Sequence, residues 1–276
     1  MEILHIINKS HFGGFPVSTH PFVAISDKKR NVVYSILGSI LLLAGSVFSA
    51  DWMNYFNKTS SLYPAIAKPC ITLLAFVLVL IAGKHKLDRR DWVLLVLAFC
   101  CMLPTDILMS LVVVSPTLSV GGWVFMVGGV LSIFAHIFLI IRVGRGFHYL
   151  KEFQLKDMWL PVLIYGSAVV MVLLLWPDLV RVGHAVIGPI YTAFFCTTMW
   201  FSWETVRRKL YPVHNAWFVA LAATCWYATE ILGEIYNLGL GTLSNITFGF
   251  VWVFYGTNVV LWALSAYRWH GEKKTH

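Results

Sequence analysis

Eight apolar runs, each about the 20 residues an α-helix needs to cross a bilayer, dominate this chain of 276 residues. In hydrocarbon no water satisfies backbone N–H and C=O groups, so each run has to form a helix. The runs fall at about 31–50, 63–83, 91–114, 122–143, 159–176, 183–203, 215–238 and 244–267. Their short connections predict antiparallel neighbours packed as a bundle. The expected fold class is an all-α polytopic membrane protein with eight transmembrane helices. Only 12% of the residues are charged, about half the share of a soluble domain, which excludes an ordinary soluble enzyme.

The expected organisation is an amino-terminal cytosolic or interfacial segment over 1–30, an eight-helix transmembrane domain over 31–270 and a cytosolic tail over 271–276. The first 15 residues have no basic leader and no small-residue cleavage site, so no cleaved signal peptide is expected. All five cysteines lie inside apolar runs and read as small apolar side chains. They show no zinc spacing, and neither a metal nor a cofactor is expected.

Charge sets the orientation. Of 21 Lys and Arg residues, 18 fall in the amino-terminal segment, the loops after runs 2, 4 and 6 (with Arg142 at the end of run 4) and the tail; Lys58 and Arg181 fall on the opposite side, and Lys68 lies inside run 2. The positive-inside rule then places both termini in the cytosol of a multi-pass protein, in a bacterial inner membrane or a eukaryotic endomembrane. The net charge of +8 is this topology signal, and no nucleic-acid partner is expected.

Polar residues inside the runs are the functional candidates, because an ionisable group at membrane depth costs about 2.5–3.5 kcal/mol on insertion scales. Asp106, in "PTDILMSL", lies about 22 Å along its outward-running span, and Lys68 about 8 Å from the outer end of an inward-running one. That similar depth predicts an Asp106–Lys68 pair. Pro104 frees a carbonyl beside Asp106. "ATEILGEI" (228–235) repeats Thr, acid, Ile, Leu and places Glu230 about 22 Å from its cytosolic end. "KPCIT" (68–72) and "GPIYT" (188–192) form a weaker echo. Two parallel four-helix halves are expected, with Asp106 and Glu230 facing each other across the axis. His136 is the one histidine deep in a run. Tyr191, Tyr255 and Asn258 are candidate donors lining the same cavity, each open to an ordinary interhelical role.

The order of these motifs resembles the YhhN-like family, the lysoplasmalogenases, over about residues 60–265. Lys68-Pro69 matches the Lys-Pro of the family's second span, and Asp106 its third-span aspartate. "GGVLSIFAHIFLI" carries His136, "IGPIY" carries Tyr191, "ATEIL" carries Glu230, and "FYGTN" carries Tyr255 and Asn258. Thr105 stands where the family has glycine, Thr229 and Glu230 where it has Ser-Asp, and Asn258 where it has glutamine.

The resemblance implies an eight-span hydrolase that cleaves the vinyl-ether bond of a lysophospholipid to a fatty aldehyde and a glycerophospho-alcohol. Asp106 and Glu230 would be the catalytic acids, with Lys68, His136, Tyr191, Tyr255 and Asn258 binding substrate. Vinyl-ether hydrolysis proceeds through an oxocarbenium ion, so two carboxyl groups suit it, as in glycosidases. Asp106, beside Lys68, reads as the ionised base or stabiliser and Glu230 as the acid. The departures leave open another lipid substrate or an inactive member. A proton-coupled or small-molecule transporter also fits acids at a repeat axis, and a non-catalytic scaffold is the remaining class. A zinc lipid hydrolase needs several deep histidines, and a retinal protein needs a lysine in its last spans, which have none. Membrane lipid is the expected partner; the oligomeric state is not legible.

Overall fold

A computed structural model describes residues 27–57, 62–83, 86–114, 123–145, 147, 150–151, 153–181, 183–237 and 242–269. Most of the amino-terminal segment and all of the 271–276 tail lie outside them.

The described residues form eight α-helices and one 3₁₀ turn: α1 Asp27–Asn57, α2 Tyr63–Ala82, α3 Arg89–Val114, α4 Trp123–Gly144, the turn Leu155–Asp157, α5 Trp159–Arg181, α6 Ile187–Arg207, α7 Val213–Asn237 and α8 Thr242–Leu264. Every expected run is a helix. The largest difference is α1, which continues seven residues past the expected end and so takes in Asp51. Pro69, Pro104 and Pro177 each lie inside a helix that continues past them. Six helices (α1 to α5 and α7) are long and apolar enough to cross a membrane, and α8 has a shorter apolar stretch, Gly249–Leu264. α6 falls short because its interior face is polar: Thr198, Ser202, Glu204 and Thr205 are all buried.

Burial is inverted relative to a soluble protein. Leu41, Leu42, Leu73, Leu163, Leu173 and Leu174 point outward, while the interior holds small residues such as Ala75, Ala82, Ala98, Ala222 and Ala263 around Phe99, Leu139 and Trp262. Apolar side chains over so much of the outer surface require an apolar solvent. Small interior residues let helix backbones approach closely, which is how helices associate in lipid. Gly128 is one such point: a Cβ there would lie 2.3 Å from the Met109 methyl.

Neighbouring helices pack as α1–α2, α2–α3, α3–α4, α5–α6, α6–α7 and α7–α8, with α4 against α6 and α8 against both α2 and α1. The end of the bundle that carries the Lys and Arg residues is fastened by buried polar groups. Arg142 of α4 donates from Nε and Nη2 to Asp91 Oδ2 at 2.9 and 2.8 Å, and from Nη1 to Ser265 Oγ at 2.9 Å. The Tyr211 hydroxyl donates to the other Asp91 oxygen and lies 2.9 Å from the Arg142 carbonyl. Asn215 Nδ2 holds the carbonyls of Ser265 and Tyr267, each at 2.8 Å. The network therefore joins α3, α4, α7, the α6–α7 turn and the end of α8.

Candidate intramembrane site

Each half of the chain carries one acid at the same register: Asp106 and Glu230 are each the eighteenth residue of their helices, α3 and α7. The preceding threonines are satisfied alike. Thr105 Oγ1 donates to the Cys101 carbonyl and Thr229 Oγ1 to the Cys225 carbonyl, both at 2.9 Å and both one turn back. This exposes a longer echo than the sequence reading found: Cys-x-x-x-Thr-acid-Ile-Leu at 101–108 and again at 225–232. Thr105 Oγ1 also reaches the Gly128 carbonyl of α4 at 3.3 Å, and each acid is directed at a tyrosine of another helix.

Asp106 is held by neutral donors. Thr72 of α2 donates to Oδ2 at 2.5 Å, and the Tyr255 hydroxyl of α8 approaches Oδ1 and Oδ2 at 2.7 and 2.6 Å. Glu230 Oε1 accepts from the Tyr191 hydroxyl of α6 at 2.7 Å and from Trp226 Nε1 at 3.1 Å. Tyr255, bonded to Asp106, lies within electrostatic range of Glu230, and Tyr191, bonded to Glu230, lies within range of Tyr255. The expected companions Tyr191 and Tyr255 are thus direct partners of the two acids.

Lys68 is the correction. It is buried, but its cation pairs with Asp51 of α1 at 3.3 Å and lies 3.9 Å from the centroid of the Trp252 ring. Asp106 has no cationic partner among the described residues. Thr72 stands one turn inward of Lys68 on the same helix face and takes the place expected for the lysine. The depth estimate missed by that turn: Thr72 and Asp106 lie about 13 and 12 Å from the outer ends of their helices, against about 8 Å for Lys68. Ending the first span at residue 50 had also left Asp51 out of the bundle. The placement of Lys68 therefore gives no basis for separating Asp106 as base from Glu230 as acid. Lys68→Met is now expected to destabilise the fold, because it strands the buried Asp51 carboxylate. Thermal unfolding in detergent should show that loss, and adding Asp51→Asn should restore most of it.

His136 sits at the inner wall of the site, fully buried, with its ring 4.2 Å from Trp226 and 5.6 Å from Tyr191, centroid to centroid. Thr198 Oγ1 lies 2.9 Å from His136 Nδ1 and donates its own proton to the Phe194 carbonyl. That contact engages Nδ1, and the other ring nitrogen is Nε2. That Nε2 has no partner among the described residues, and neither amide atom of the fully buried Asn258 has one. Asn258 lies one turn beyond Tyr255 on α8. Buried polar atoms of this kind cost about 1–3 kcal/mol each unless something satisfies them. Thr72, Trp226 and Asp51 escaped the sequence reading. Thr72 and Trp226 each lie four positions from a residue it had singled out, which is the signal that could have found them.

No group of three His, Cys, Asp or Glu side chains among the described residues is placed to hold a metal ion. No protein-family model, curated protein or solved structure matches the chain. Fold and site together define an all-helical protein of membrane type, with two half-buried carboxyls each bonded to a tyrosine of another helix.

Proposed function

We propose that the chain is an integral-membrane lipid hydrolase of the YhhN-like kind, which cleaves the vinyl-ether bond of a lysophospholipid to a fatty aldehyde and a glycerophospho-alcohol. The observation that carries this reading is the pair of acids at matched register in α3 and α7, each bonded to a tyrosine from another helix. One carboxyl delivers a proton to the vinyl carbon, forming an oxocarbenium ion. The other carboxylate balances that charge and takes a proton from the attacking water. The hemiacetal so formed collapses to aldehyde and alcohol. The tyrosines and Thr72 orient the two carboxyls, and His136 Nε2 and the Asn258 amide bind polar atoms of the substrate.

All eight helices cross the membrane on this reading, as two parallel halves of four. Two observations support the repeat: the Cys-x-x-x-Thr-acid-Ile-Leu echo, and the matched helix neighbours. The pairs α1–α2, α2–α3 and α3–α4 correspond to α5–α6, α6–α7 and α7–α8, and α4–α6 corresponds to α8–α2. The Lys and Arg distribution places both termini in the cytosol. In a chain freed of its native cysteines, Asp178→Cys is expected to react with an impermeant thiol reagent from outside and Lys209→Cys from inside. Labelling of both from one side would rule out this topology.

The direct test is aldehyde release by the purified protein from a panel of vinyl-ether and ester lysolipids. Turnover of vinyl-ether lipids, undiminished by EDTA, is expected, since no metal-ligating cluster among the described residues accompanies the two acids. Loss of activity in EDTA and its return with zinc would overturn the two-carboxyl mechanism. The matched halves equally suit a transporter that carries protons on the same acids; pH-driven uptake into vesicles with no aldehyde release would favour that reading.

A further inference from the structure

At the basic end of the bundle, away from the paired acids, a cavity of about 270 Å³ is lined by Gln154, Lys156, Asp157, Arg207 and Arg208. We propose that it binds a singly charged phosphate group, as carried by a phospholipid head group of the adjoining leaflet.

The cations are set in place by a ring of ion pairs. Asp157 Oδ1 and Oδ2 accept from Nη2 of Arg207 and of Arg208, at 2.7 and 3.1 Å. From below, the fully buried Glu204 accepts from Arg207 Nη1 at 2.5 Å and from Arg208 Nε at 2.8 Å. The two guanidiniums therefore stand side by side in fixed orientation, as recognition of a planar or tetrahedral anion requires. Two of the five N–H groups of Arg207 are used on carboxylates in this ring; its remaining donors have no acceptor among the described residues. Lys156, on the cavity wall, has no acidic partner among the described residues. Three cations against Asp157 and Glu204 leave one positive charge, which one phosphodiester neutralises. Asp157 stays ionised at neutral pH, since the Gln154 amide first, and then the two guanidiniums, hold its carboxyl below the ordinary value.

The surroundings put this cavity at head-group level. Leu155 is 89% exposed and Trp159 58% exposed, with Trp159 against the Arg207 guanidinium at 5.8 Å. A tryptophan at the start of a spanning helix marks the membrane–water interface, and a basic pocket just beside it on the Lys/Arg-rich side suits an anionic head group.

The test uses the full-length protein purified in detergent, with its melting temperature read on adding phosphatidylglycerol, phosphatidylcholine or inorganic phosphate. Phosphatidylglycerol is expected to raise it more than phosphatidylcholine, because the choline cation is repelled by the same residues. Inorganic phosphate giving the same rise at equal concentration would assign the site to a soluble phosphate compound instead of lipid. Lys156→Gln removes the uncommitted cation without touching the ring, so its melting temperature without additive should equal that of the parent. Its apparent affinity for phosphatidylglycerol should fall about fivefold. Lys151→Gln, which removes the same charge from an exposed position off the cavity wall, should respond like the parent. An equal response from Lys156→Gln and the parent, an equal loss in Lys151→Gln, or no response to any additive would overturn the proposal.

Discussion

Asp106→Asn and Glu230→Gln are each expected to abolish measurable turnover, a loss of at least about 10²-fold from removing one acid or base, while the protein still inserts and folds. The amides keep the shape of the carboxyls. At Asp106 the two partners are the hydroxyls of Thr72 and Tyr255, which rotate to accept from an amide as readily as they donate to a carboxylate. The hydrogen-bonded frame therefore survives the exchange and only the exchangeable charge is lost. At Glu230, Trp226 Nε1 is a donor only, so Gln must keep its oxygen toward the indole. The measurements are aldehyde release and thermal unfolding in detergent, made on the same preparations. A catalytic pair predicts lost rate at a nearly unchanged melting temperature; a packing role predicts the reverse. Full activity of Asp106→Asn would remove Asp106 from the mechanism outright. Tyr255→Phe adds a graded case: it takes one donor from Asp106 and leaves the ring, so a smaller fall in rate than for Asp106→Asn is expected.

The eight helices were legible because hydrocarbon admits no other backbone solution and the runs have the required length. Asp106 and Glu230 were legible for a related reason: an acid at that depth is costly, and a repeated one stands out against apolar neighbours. Partner choice was not legible. Sequence gives depth along a helix to within about one turn, or 5.4 Å, and one turn separates Lys68 from Thr72. A charged pair looked like the obvious compensation for Asp106, yet two hydroxyls satisfy it, and the lysine is balanced from α1 by a residue just past the expected span end. Neutral donors such as Thr72 and Trp226 carry no compositional signal, because Thr and Trp occur all over these helices. The basic end of the bundle was misread in a different way. Counting Arg142, Arg207 and Arg208 as loop charges gave the orientation signal and hid the fact that Arg142 is buried and that Arg207 and Arg208 are tied to the buried Glu204.

Arg142 makes the second large prediction. Its side chain is fully enclosed and its partner Asp91 nearly so, with Nη2 at 2.8 Å from Oδ2. Replacing one member of such a pair leaves the other charge buried without compensation, which costs about 3–5 kcal/mol. Arg142→Met and Asp91→Leu are each expected to lower stability by that order, read as denaturation in mixed detergent micelles. The double variant should recover a large part of the loss, since two apolar side chains in the same space leave no orphaned charge. Tyr211→Phe, which removes one donor from Asp91 and keeps the ring, should cost less, about 1.5–3 kcal/mol, the size of a hydrogen bond to a charged group. The double-variant cycle is the decisive reading. A coupling of several kcal/mol fits a pair sealed from water where α3, α4 and α8 meet. Additive losses would mean that water reaches Arg142 and that Ser265 and Tyr211 close the bundle without it. The outcome bears on the upper site as well: Asn258 and Trp262, both fully buried with polar atoms unpartnered among the described residues, lie on α8 between Tyr255 and Ser265. A sealed lower network keeps water from reaching Asp106 and Glu230 along the seam that Arg142 and Asp91 close.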